Sequence, residues 1–439
     1  MKIRIYIQPV IIIALVMVYG FVSCSKEIEY DEEKNKEYWR RVSPVDSIDV
    51  NHTWQLATSR SYQVTVNGNV GAKRLEIYNA DPITSAEAEM MGRVFVKDEQ
   101  QVTVSVSVPL TLTTLYAALV DEAGTFTVTS FSATERYVDF SNPIATKQQP
   151  RLVTPRIMEY TYCFEENFPG AGDYDYNDLV MRIGLERTGQ KQIDIHVTLL
   201  AVGASGQIAG AIRLVGYRYQ DISSVVAKDD KTLNVNVPKL SYGLILSDDI
   251  LQEGKNGDGK RGNGEAVINL FLDAHWAMDN EIETINDEFT RKKYNVKKTF
   301  TDQYEQTYAK TVDFTVNFKN EAGLNNFTQE MIDPFIVTYY GANKIETHLN
   351  EFIDAHTFYD YDISPLKNFK LIPWALKIPT QYFHYPLEGF QIGFRKHAKD
   401  GTASMDGAYM IEGHSFGEWV ENQKNSLDWY NYPIENQVW

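Results

Sequence analysis

The segment Phe164 to Ile183, FEENFPGAGDYDYNDLVMRI, constrains this chain more than any other. Tyr160, Tyr162 and Phe164 lead into it at every second position, the period of a strand, and Leu179, Met181 and Ile183 resume that period beyond it. Pro169, Gly170 and Gly172 stop the first strand, and Asp173, Asp175, Asn177 and Asp178 follow. Carboxylates crowded into one bend repel one another unless something positive sits among them. Oxygens at i, i+2 and i+4 suit a hard cation such as Ca2+. Glu165 and Glu166 stand just before the turn and can add oxygens, so the candidate metal ligands are Glu165, Asp173, Asp175, Asn177 and Asp178. The opening copies an EF-hand loop, but the rest does not. The sixth position is Asp178 instead of Gly, the twelfth is Gly184 instead of a bidentate Glu, and the flanks are strands. A calcium loop of another kind and a solvated acidic hairpin held by Asx-turns both remain open.

The chain has 439 residues, enough for two or three domains. Its 13% aromatic content, with 27 Tyr, suits β-structure and amphipathic surfaces. A net charge of −17 argues against nucleic acid or an anionic membrane surface as partners. There are two cysteines, Cys24 and Cys163. With Cys24 lipidated there is no disulfide framework, and Cys163 reads as a small buried hydrophobe.

Lys2 and Arg4 precede an apolar stretch, Val10 to Val22, too short to span a membrane comfortably. It ends in Phe21-Val22-Ser23-Cys24, which resembles the lipobox of bacterial lipoproteins. The resemblance implies a signal peptide over 1–23 and an acylated Cys24 anchored in the outer membrane. A plain secretory signal is the alternative. Removing Lys2 and Arg4 leaves 40 basic residues against 59 acidic ones, a net charge of −19. Residues 24–47 read as a solvated tether. Its acidic start, Glu27, Glu29, Asp31, Glu32 and Glu33, resembles the export signal of Bacteroidetes-type surface lipoproteins, which implies display at the cell surface.

Residues 48–142 read as a β-sandwich domain, with strands over Tyr62–Val66, Leu75–Tyr78, Gln101–Val108, Leu115–Val120 and Phe126–Ser130. Ala86 to Met91 reads as a short helix, and Trp54 as a core residue. Pro143, Pro150 and Pro155 mark a boundary. Residues 156–439 form the larger domain, with strands over Ile193–Ala201, Ala211–Tyr217 and Val267–Leu272. Glu253 to Glu265, rich in glycine, reads as an Ω-loop, and its Gly259-Lys260-Arg261 is no phosphate loop. The expected fold is all-β, two sandwich-like domains with a few short helices.

Several segments of 156–439 together resemble the LruC-domain family of bacterial surface lipoproteins. They are Phe164-Glu165, Gly172 to Asp178, Asp333-Pro334-Phe335-Ile336, Glu346-Thr347-His348-Leu349, Pro373 to Pro379, Tyr385-Pro386-Leu387-Glu388, Phe416 with Trp419, and Asp428-Trp429-Tyr430. The family's role is not established, so the resemblance implies an address and a fold class. It also supports the acidic loop residues as ligands. Asp279 to Gln306 does not align with the family's pattern.

Trp374, between two prolines, is expected on an edge strand. Glu418 to Lys424 reads as a helix that turns Phe416 and Trp419 inward. Trp374, Trp419 and Trp429 read as core anchors rather than sugar-stacking platforms. Gly413-His414-Ser415-Phe416-Gly417 matches a nucleophile elbow, but no His follows Ser415 as that fold requires. His348 and His356 lack zinc-ligand spacing. No catalytic constellation emerges, so a binding or structural role, in adhesion or glycan capture, is the first expectation. A glycoside hydrolase-like protein of a surface uptake system is the second.

Overall fold

The computed structural model describes residues 37, 43, 45, 47–66, 71–97, 101–141, 143, 145–148, 156–228, 243–244, 265–278, 292–296, 304–340, 343–355, 371–393 and 407–439. The signal segment, Cys24, the loop of residues 253–264 and His356 lie outside the described residues. So does most of Asp279 to Gln306. Contacts divide the chain into Met1–Arg41, of which only Glu37 is described, and one compact unit, Val42–Trp439.

The fold is all-β. Ala57–Thr65 pairs antiparallel with Gln101–Pro109 along its whole length, and Tyr137–Val138 adds a parallel edge. Alternation explains the pairing: Val102, Val104, Val106 and Val108 are all buried, and so are Tyr62 and Val64 opposite them. A second sheet runs in the order Ala145–Gln148, Thr125–Ser132, Thr114–Asp121, Ala72–Tyr78, Glu89–Phe95, Arg156–Ile157. Leu75, Ile77, Leu115, Ala117 and Leu119 of this sheet share a core with the valines of the first, which makes a sandwich. The helix expected over Ala86 to Met91 is absent: Glu89–Phe95 is a strand. Helix formers such as Ala, Glu and Met give way there to ladder bonding with Ala72–Tyr78.

The chain crosses to the larger sheets at Met158. An eight-stranded sheet follows the path Ile222–Ala227, Lys310–Phe318, Gln192–Val202, Leu179–Gly189, Glu159–Phe164, Ala375–Ile378, with Lys293–Asn295 and Tyr304–Gln306 branching from it. A five-stranded sheet runs Gly243–Leu244, Glu265–Phe271, Ile208–Arg218, Ile332–Tyr340, Asn343–Thr347. Ile183, Ile195 and Val197 of one meet Ile208, Ile212, Ile268 and Ile336 of the other in a single core. Ala375–Ile378 is an edge strand, as its flanking prolines require.

Helices are short. Among the described residues Ala274–Met278 and Phe416–Glu421 are α-helices, the second starting two residues before the expected helix. Trp374, Trp419 and Trp429 are all buried, and so are Trp54 and Cys163.

Candidate functional site

The acidic loop joins two strands paired with Phe164 opposite Leu179 and Cys163 opposite Val180. Hydrogen bonds and buried rings fix its path. Tyr174 and Tyr176 take left-handed backbone angles, φ 61° and 53°, on either side of Asp175. Such angles cost non-glycine residues roughly 1–2 kcal/mol each, so the surroundings must enforce them. Both tyrosine rings are buried. The Tyr176 hydroxyl donates to the Pro373 carbonyl (2.5 Å), and the Tyr174 carbonyl accepts from Ile392 N (2.7 Å). The Trp374 indole donates to the Gly170 carbonyl (2.6 Å) and meets the Phe168 ring edge-on at 4.8 Å.

This path turns carboxylates toward one another. Glu165, Asp173 and Asp175 each offer an oxygen, and these oxygens lie within 4.8 Å of one another. Oxygens sharing one calcium ion can stand at most about 5.2 Å apart, twice a bond of about 2.6 Å. Glu165 and Asp175 are buried, while Asp173 is exposed. Glu165 Oε1 accepts from Tyr176 N (2.7 Å), whereas its buried Oε2 has no hydrogen-bond partner among the described residues. Gly172 makes room for that oxygen, because a Cβ there would lie 1.8 Å from it.

Asn177 and Asp178 stand beside this trio. The Asn177 amide donates to Asp175 Oδ2 (2.7 Å) and to the Pro386 carbonyl (3.3 Å). Asp178 Oδ2 accepts from Glu166 N (2.8 Å), and its main-chain carbonyl accepts from Gly203 N (3.0 Å).

Electrostatics sharpen the geometry. Burial, then Asp173, pushes Glu165 up to about 8. Asp175 is driven well above the usual carboxylate range by burial, then by Asp173, Glu165, Asp178 and Glu388. Asp178 is driven up by burial, then by Glu165 and Glu166. Asp173, although its residue is exposed, has its carboxyl turned toward the bend, where desolvation and then Glu388 raise it. Lys293 eases the charge on Asp173 and Glu166 but is itself paired with Glu388 (2.7 Å). The group is thus rich in oxygen and poor in positive charge, and either protons or a cation must offset it. Sequence reasoning missed Lys293, which lies more than a hundred residues away on the short strand Lys293–Asn295.

A second trio, Glu186, Asp194 and His196, also brings its ligand atoms within 4.8 Å. Cations already fill it. Arg93 bonds Glu186 and Lys228 bonds Asp194, while His196 pairs with Asp313 at 2.9 Å. Arg93 also reaches Glu76 (2.7 Å), so this network ties the two halves of the compact unit together. It reads as a structural network.

The nucleophile-elbow match dissolves in the structure. Ser415 caps the helix Phe416–Glu421: its hydroxyl accepts from Glu418 N (3.2 Å), and Glu418 Oε2 accepts from Ser415 N (3.1 Å). The motif is therefore a capping box. His348 is held between Asp333 and Glu346, and serves a buried ion cluster.

Residues 191–404 match the family described as Domain of unknown function (DUF4842). The match takes in the Asp333, Glu346, Pro373 and Tyr385 segments on which the LruC resemblance rests. It leaves out the acidic loop and the segment from Phe416 to Tyr430. A crystal structure of a protein from Bacteroides ovatus, described as a lipoprotein, is 15% identical, with a TM-score of 0.48, over 84% of this chain and 99% of that one. No curated protein matches the chain.

Proposed function

We propose that this chain is a lipid-anchored surface protein whose larger β-domain is stabilised by calcium, and that it binds or scaffolds instead of catalysing. The observation that carries the calcium reading is the trio Glu165, Asp173 and Asp175, with oxygens within 4.8 Å and one buried carboxylate oxygen without a partner. Three oxygens are fewer than the six to eight that calcium takes. Main-chain carbonyls of this bend, the neighbouring Asp178 carboxylate and water are the natural remainder. The ion's role is structural, since it would pin the loop to the Trp374 and Ile392 segments. Among the described residues no helix is long and apolar enough to cross a membrane. In this reading the lipobox-like segment before Cys24 supplies the attachment, at the outer membrane and facing outward.

The test is a thermal melt with millimolar Ca2+ and with EDTA. A ligand held at about 100 times its Kd adds about 2.7 kcal/mol, which for a chain of this size is a rise of several degrees in Tm. Asp175→Ala should abolish the difference while leaving a folded protein. An unchanged wild-type Tm would remove calcium from the account. Separately, Cys24→Ser should move the protein from the membrane fraction to the soluble one and end incorporation of labelled palmitate. Retention of label would place the acylation elsewhere.

A further inference from the structure

We propose that a polar cleft at the junction of the two sandwiches binds a small carboxylated sugar, with the Arg187 guanidinium as the carboxylate receptor. This deepens the binding role proposed above and does not depend on the calcium loop.

The cleft holds about 300 Å3 and is bounded by Lys97, Arg187, Gln190, Glu321, Asn325 and Asn326. Such a volume is at the lower end of the roughly 300–1,000 Å3 typical of small-molecule sites, which favour such junctions. It forms because strand Glu89–Phe95 ends beside the hairpin linking Leu179–Gly189 to Gln192–Val202. The loop after Lys310–Phe318 closes the remaining side.

Arg187 is the group that points to a ligand. Its side chain is buried, with 7% exposure, yet every acceptor it meets is a neutral oxygen. Nε donates to the Gly189 carbonyl (3.3 Å), Nη2 to the Gln190 carbonyl (2.8 Å) and Nη1 to Asn325 Oδ1. Guanidinium has five N–H donors, so one remains on each Nη, and a carboxylate takes that pair as a fork. A buried cation usually has an anion beside it. Glu321, the carboxylate that acts on Arg187 through its charge, is committed to Lys97 at 2.6 Å. Burial accordingly pushes the Arg187 pKa down.

The rest of the wall suits a hydroxylated body. Gln190 brings an amide that both donates and accepts, Asn325 and Asn326, whose oxygens already accept from Arg187 and Ser105, bring NH2 donors, and Thr103 adds a hydroxyl. The Phe95 ring, 5.9 Å from the guanidinium carbon, gives one apolar face. Lys97 at the rim holds Glu321, the one carboxylate of the wall, away from Arg187, so the guanidinium stays the cation open to a ligand.

Titration of the full chain by calorimetry with glucuronate, glucose and acetate tests the proposal. Glucuronate should bind with a Kd of about 1 mM or tighter, and glucose and acetate at least about tenfold more weakly. Arg187→Lys keeps the charge but loses the fork, and should weaken glucuronate about tenfold. If that variant fails to fold, Lys97→Gln, at a side chain 45% exposed, carries the test with a weakening of a few-fold. Absence of glucuronate binding would overturn the proposal, as would equal affinity for glucose or indifference to both substitutions. The calcium melt and this titration read different places, so either can fail alone.

Discussion

Trp429→Ala should lower the unfolding free energy by about 3–5 kcal/mol, the usual cost of deleting a large buried ring. The shift of the urea midpoint at constant m-value would measure it. Trp429 has 0% exposure and sits among five aromatic neighbours. It meets Tyr409 and Phe416 edge-on, each at 5.0 Å, and Trp419 at 5.8 Å. Its indole N–H has no hydrogen-bond partner among the described residues. The loss is therefore one of packing, and Trp429→Phe should cost less than half as much as alanine. A cost under about 1 kcal/mol for alanine would mean the ring is not a core anchor. The sugar-platform alternative would then return.

Asp333→Ala should cost a similar amount, about 3–5 kcal/mol, through charge instead of volume. Asp333 Oδ2 accepts from Arg213 Nε (3.0 Å), Arg213 Nη2 (2.8 Å) and His348 Nδ1 (2.8 Å). His348 Nε2 donates in turn to Glu346 Oε2 (2.9 Å), and Arg213 Nη1 to Glu265 Oε2 (2.5 Å). Asp333 and Glu346 are both fully buried. Removing Asp333 leaves two buried cations short of an anion. The same cluster sets a pH dependence. Burial alone would push His348 down, but Asp333 and Glu346 overcome it and lift its pKa to about 9. The folded value is above the unfolded one of about 6.5, so the folded state holds this proton more tightly. The stabilisation is complete below about pH 6.5 and is lost as pH rises through about 9. The unfolding free energy from denaturant melts should fall between about pH 7 and pH 10 by an amount of order 3 kcal/mol. In Glu346→Gln the decline should still begin near pH 6.5 but end at lower pH and be smaller, because only the folded value drops. A flat profile in the wild type would remove the imidazolium from the core.

Local patterns were legible where one face is buried and one is not. The four valines of Gln101–Pro109 declared a strand, and the alternation around the acidic loop placed its two flanks. The Phe416–Glu421 helix was legible from its inward pair, although its Ser415–Glu418 capping box was first visible as a catalytic decoy. Ala86 to Met91 misled because composition favoured a helix, while Gly92, whose Cβ would lie 2.6 Å from a Val106 methyl, belongs to a strand lying close over another. Long-range partnerships were not legible. Lys293 beside Asp173, Arg213 beside Asp333, and Arg187 beside Asn325 join residues whose separation in the chain exceeds a hundred positions. No period in the sequence encodes such meetings. Only Glu165, Asp173 and Asp175, gathered by one tight bend, could be foreseen as a group.

The turn at Val50 and Asn51 is stitched to the helix Phe416–Glu421. Asp49 N donates to the Val420 carbonyl (2.8 Å), the His52 ring bonds the Trp419 carbonyl (3.0 Å), and Gln423 Nε2 donates to the Asn51 carbonyl (2.8 Å). Trp54 completes the seam, ring against ring with Trp419 at 5.7 Å. A pull on the chain from the N-terminal side of Asp49 thus meets a clasp before it meets a sheet. The load passes into the aromatic knot near the far end of the chain, and Ala57–Thr65 is spared from being peeled off its partner strand by strand.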